Sequence, residues 1–117
     1  MRERAKSTGR PSIANMSLGG ILTLSLNEAV ESLTASGVHV AVAAGNSGLD
    51  SSLYSPAGAP SAVTVAATDI TDTRPSWSNF GEPVKIFAPG QDIISSWNMD
   101  DSVCQLSILL TVFWMTH

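Results

Sequence analysis

Apolar positions along this chain change their period several times, and each change marks an element. Residues 12–18, S-I-A-N-M-S-L, alternate Ile13, Asn15 and Ser17 with Ala14, Met16 and Leu18. That alternation predicts a strand covered unequally on its two faces, ended by Gly19-Gly20. Ser25-Leu26-Asn27-Glu28 carries a capping-box pattern. In such a box the serine and glutamate side chains each satisfy an orphan amide, at a gain of about 1 kcal/mol. Leu26, Ala29, Val30 and Leu33 follow at i, i+3, i+4 and i+7, so one apolar stripe predicts a helix lying on a sheet and closed by Gly37. From Val38 to Ala44 the run is apolar with β-branched residues at alternate positions, which predicts a buried parallel strand. It breaks at Gly45 into a polar corner, Asn46-Ser47-Gly48. Strand, helix and strand in this order predict a right-handed crossover and a parallel pair.

Leu49 to Pro60 is rich in Ser, Gly, Ala and Pro and reads as loop. Residues 61–67 predict the next strand, 69–79 a polar turn region, and 84–88 and 92–97 two further short strands separated by Pro89-Gly90. From Asn98 onward neither strand alternation nor helix caps are present, so no element is predicted there. The chain therefore divides into a basic lead-in (1–10), an α/β body (11–97) and a divergent apolar tail (98–117).

Composition narrows the class of partner. With 44% hydrophobic and 14% charged residues over 117 positions, the chain is globular and long enough for one core. Four of its six basic residues (Arg2, Arg4, Lys6, Arg10) fall in the lead-in, leaving Arg74 and Lys85 against nine acidic residues in the remainder. Such a balance excludes a nucleic-acid footprint. Cys104 is the sole cysteine, so no disulfide forms within the chain. No apolar core follows the basic start, and no secretory signal is read there. Val103 to Met115 spans thirteen residues against the roughly 20 a membrane-crossing helix needs, so no membrane anchor is expected.

Among candidate chemistries, a phosphate cradle at Ser17-Leu18-Gly19-Gly20 fails both spacing tests: the three spaced glycines of a dinucleotide site and the Gly-Lys-Ser/Thr ending of a P-loop are absent. His39 lies among valines, and the only other histidine is His117, so a core or sheet-edge histidine is expected rather than a base or ligand. Asp69 and Asp72, three apart in a loop, hint weakly at a metal, and a solvated turn is the better reading. Asn46 has a sharper claim. Its residue type alone fits a left-handed turn better than catalysis. Its setting says more: Gly19-Gly20 and Ala43-Ala44-Gly45 are two side-chain-poor strand ends, and if adjacent they leave a slot for a substrate backbone.

These residues resemble the subtilisin-like serine proteases, most closely the proteinase K-like branch. The likeness rests on N-M-S-L-G-G (Asn15 to Gly20), T-A-S-G-V-H-V-A-V-A-A-G-N (Thr34 to Asn46), Y-S-P-A-G-A-P (Tyr54 to Pro60), W-S-N-F-G (Trp77 to Gly81) and F-A-P-G (Phe87 to Gly90), and spans residues 8–97. It implies part of a three-layer fold, a mostly parallel sheet with flanking helices. It also implies endopeptidase hydrolysis through an acyl-enzyme. Ser17, Leu18 and Gly19 match the edge that pairs with an extended peptide substrate. Gly20, Ala43, Ala44 and Gly45 match walls of the pocket for the side chain preceding the cleaved bond. Asn46 matches the oxyanion-hole asparagine, whose amide donates to the developing negative oxygen.

The family's triad runs Asp, His, Ser. The resemblance places the first two upstream of this stretch and the serine in a G-T-S-M-A block beyond F-A-P-G, and no such block follows Trp97. Loss of the nucleophile or base costs about 10⁶ in turnover in subtilisin itself, so inactivity of the chain as written is expected. Proteinase K-like enzymes also hold a calcium with loop carbonyls near Tyr54 to Pro60 and an aspartate before F-A-P-G. Lys85 stands at that position, so neither calcium nor any other cofactor is expected. The resemblance implies a secreted or vacuolar compartment. The alternative to a protease fragment is a non-catalytic peptide-binding module using the exposed strand edge.

Overall fold

The computed structural model describes residues 3, 7, 9–97 and 100–106. Its main sheet has four parallel strands, β1 (Ser12–Met16), β3 (Val38–Ala43), β5 (Val63–Thr68) and β6 (Val84–Pro89), in the order β1-β3-β5-β6. The helix α1 (Leu24–Ala35) makes the crossover between β1 and β3 and packs on the sheet. Two-residue strands β2 (Gly20–Ile21) and β4 (Tyr54–Ser55) pair antiparallel, as do β7 (Ile93–Trp97) and β8 (Asp100–Leu106).

The period-two pattern of β3 sorts its side chains onto two faces. Val38, Val40 and Val42 join Ala14, Val30, Ala59 and Ala62 in the cluster under α1, with Met16 and Leu33 against it. Ala41 packs with Val65, Ala43 and Ala88 in a second cluster. Each fully buried valine contributes about 1.5–3 kcal/mol through the apolar surface it removes from water.

Several boundaries differ from expectation for identifiable reasons. The first strand stops at Met16, where the β1–β3 register ends at Met16 opposite Val42, and Ser17 and Leu18 leave the ladder. The helix begins at Leu24 with Thr23 as its N-cap, not at the Ser25 box, and no side-chain cap hydrogen bond forms. A tertiary contact fixes the entry instead: the Thr23 N–H donates to Ser55 Oγ (2.9 Å), and that hydroxyl donates to the Thr23 carbonyl (3.1 Å). The C-terminal end follows expectation, with Gly37 at φ 89° and its N–H donating to the Thr34 carbonyl.

Residues 49–60 carry a 3₁₀ turn (Ser51–Leu53) and β4 rather than loop alone. The strand expected at 61–67 runs Val63–Thr68, because Ala62 closes a turn onto the Ala59 carbonyl. His39 is exposed, since the alternation turns it away from the valine cluster. β8 gives structure to part of the tail, where no element was expected. Expectations for the side chain of Cys104, for residues 107–117 including His117, and for most of the lead-in lie outside the described residues. Among the described residues no helix is long and apolar enough to cross a membrane.

Candidate active site

Because β1 and β3 are neighbours, their carboxyl ends sit side by side. A cavity of ≈ 180 Å³ opens there, lined by Ser17, Leu18 and Gly19 from the first end and Ala43, Ala44, Gly45, Asn46 and Ser47 from the second. Tyr54 and Ala57 close it from the Y-S-P-A stretch. Seven of the eight residues singled out from the sequence thus meet in one cleft. Gly20 stands beyond the lining, in β2, opposite Ser55.

The corner after β3 needs glycine at Gly45 (φ 108°) and at Gly48 (φ 65°). At Gly48 a Cβ would also meet the Ser76 carbonyl oxygen at 2.5 Å. The segment 77–80 runs alongside and grips this corner. The Gly48 N–H donates to the Trp77 carbonyl (2.8 Å), the Asn79 N–H to the Gly45 carbonyl (3.0 Å), and the Phe80 N–H to the Leu49 carbonyl (3.1 Å).

Asn79 is fully buried and bonds the corner through its side chain as well. Its Oδ1 accepts from the N–H groups of Ser47 (2.9 Å) and Leu49 (3.1 Å), while its Nδ2 donates to the Ala44 carbonyl (2.9 Å). Sequence reasoning quoted Asn79 inside a motif without seeing this role, and it missed Tyr54, Ala57 and Ser47 as lining residues. Burial of a polar side chain carries no signature in a sequence without its distant partners.

The acidic candidates serve turns. Asp69 Oδ1 accepts from the Thr71 hydroxyl (2.7 Å), the Thr71 N–H (2.8 Å) and the Thr73 N–H (3.0 Å), and these bonds, the Thr71 hydroxyl foremost, hold its carboxyl below the usual carboxylate range. Asp50 is lowered in the same way, chiefly by the Ser52 side chain and then by the Ser52 N–H it caps.

The residues present do not fit a calcium ion at the position the resemblance marks. Lys85, exposed on β6, offers an ammonium where an oxygen donor is needed. Among the described residues, no group of three or more His, Cys, Asp or Glu side chains is placed to hold a metal. Millimolar calcium or a chelator is therefore expected to leave the thermal unfolding midpoint unchanged. A site filled at a hundred times its Kd would add about 2.7 kcal/mol, a shift of several degrees that would contradict this.

A parallel sheet whose small-residue strand ends frame a cleft, with an exposed asparagine on the glycine-hinged corner that lines it, is an α/β arrangement with its cleft outside the carboxyl ends of the strands, where open sheets of this class gather ligands. The family model described as Subtilase family, Peptidase_S8, matches residues 3–113, and the chain belongs to that family. It is 55% identical over 86 residues to subtilisin-like protease 2 of Pseudogymnoascus destructans, covering 74% of this chain and 22% of that protein. It is 55% identical over 83 residues to alkaline protease 1 of Aspergillus clavatus, covering 71% and 21%. A crystal structure of a cold adapted subtilisin-like serine proteinase superposes with a TM-score of 0.81 at 42% identity, over 92% of this chain and 39% of that one. The chain thus spans about a fifth of the length of these curated relatives.

Proposed function

We propose that this chain is the substrate-binding part of a subtilisin-like serine endopeptidase. Ser17 to Gly19 would take an extended peptide by strand addition, with Ala43, Ala44 and Gly45 around the side chain before the scissile bond and Asn46 donating to the oxyanion. The observation that carries this reading is the convergence of both strand ends on one cleft with Asn46 in its lining. No serine of residues 11–97 stands in the family's nucleophile context, so this stretch would bind a peptide without itself supplying the nucleophile. That is also how a non-catalytic peptide-binding module would behave, and the intact cleft favours it as the second reading.

Calorimetric titration with extended peptides tests the proposal. Gly19 lies on the edge, where an added Cβ would come within 3.4 Å of the Ser55 carbonyl oxygen. Gly19→Trp should weaken peptide binding at least about tenfold while leaving the fold intact, by filling the space a peptide backbone would occupy. No binding to the folded wild-type chain would dismiss both readings of the cleft.

A further inference from the structure

We infer that Asn79 is the positioning residue of the Asn46 corner, holding through one buried amide the backbone on both sides of the donor. The inference rests on the reading of Asn46 as an oxyanion donor. Asn79 reaches the corner from 30 to 35 residues away in sequence. Its Nδ2 fixes the Ala44 carbonyl two residues before Asn46 (2.9 Å), and its Oδ1 fixes the N–H groups of Ser47 and Leu49 just after it (2.9 and 3.1 Å). Its backbone N–H adds a bond to the Gly45 carbonyl (3.0 Å). Asn46 itself is exposed, and the backbone on either side of it sets where its side chain starts.

Gly45 fits the same device. A Cβ there would overlap Asn79 Nδ2, so the missing side chain is what admits the amide to hydrogen-bond distance. A donor loses most of its worth when its direction wanders, because hydrogen bonds weaken steeply off line. Preorganised donors stabilise charge without reorganising at the moment it develops. One side chain that satisfies both sides of a tight corner supplies that preorganisation.

The amide also predicts which replacement works. A protonated aspartic acid has the same pattern, one carbonyl oxygen to accept and one O–H to donate to Ala44, whereas the ionised carboxylate has no donor. Asn79→Asp should therefore hold the corner at low pH and release it at neutral pH, with burial raising the pH at which the change occurs.

The test combines amide hydrogen exchange with peptide titration on the full chain. In Asn79→Ala the Ser47 and Leu49 amides should exchange at least about tenfold faster relative to their intrinsic rates, while the ladder amides of β3 stay protected. In Asn79→Asp those two amides should be protected at pH 4 and released at pH 7, with wild type protected at both. The wild-type chain should bind an acetylated tetrapeptide ending in a free carboxylate about tenfold more tightly than its C-terminal amide, the carboxylate oxygen standing in for the oxyanion. Asn46→Ala and Asn79→Ala should each abolish that preference, and the double variant should lose no more. Unchanged Ser47 and Leu49 exchange, or equal acceleration throughout β3, would overturn the positioning role. A carboxylate preference kept in Asn79→Ala but lost in Asn46→Ala would overturn it as well, whereas a preference kept in Asn46→Ala would overturn the reading of Asn46 as the donor.

Discussion

Gly45→Ala should lower the stability of this chain by about 3–5 kcal/mol, read as a fall in the urea midpoint with the slope unchanged. Two costs combine. A φ of 108° is strained for any residue with a Cβ, at about 1–3 kcal/mol. The new methyl would also overlap the fully buried Asn79 amide, and displacing it strips partners from the Ser47 and Leu49 N–H groups and the Ala44 carbonyl. The buried groups among these, the Ala44 carbonyl and the Asn79 amide, each cost about 1–3 kcal/mol when left unpaired, so partial relaxation still leaves a total in the stated range. Gly20→Ala is the control, since a Cβ there meets nothing within 4 Å and the residue is exposed. That change should stay within about 0.5 kcal/mol. Equal behaviour of the two variants would mean that the corner does not depend on close approach of Asn79.

The parallel core was legible because its signals are local and periodic. Val38, Val40 and Val42 alternate toward α1, and Val30 with Leu33 repeats at helical spacing, so pattern alone placed strand, helix and crossover. The helix start was misread because Ser25 and Glu28 offer a satisfactory local cap, whereas the chain takes its entry from Ser55, thirty-two residues beyond Thr23. β2 and β4 are two residues each and too short to show a period. His39 has the neighbours of a buried residue but the face of an exposed one.

The cleft itself was visible in outline. Gly19 and Ala43-Ala44-Gly45 are small residues at strand ends, and the sheet order needed only to make those ends adjacent. What sequence could not supply is the support: Asn79 is one more asparagine until the fold brings it against Gly45.

The role of Asn46 is tested most directly in a setting where chemistry is measurable. In a chimera whose residues 11–97 come from this chain and replace the matching stretch of the Aspergillus clavatus alkaline protease 1, the host supplies the remainder of the site. Transition-state stabilisation by a donor appears in kcat rather than KM, because the donor's bond strengthens only as negative charge develops on the oxygen. Asn46→Ala in that chimera should lower kcat by about 10²–10³ with KM little changed, the loss known for removal of such a donor from subtilisin itself. A kcat within about threefold of the parent chimera would contradict the assignment of the corner after β3 as the oxyanion site, since the loss of one such donor is worth about 2.7–4 kcal/mol.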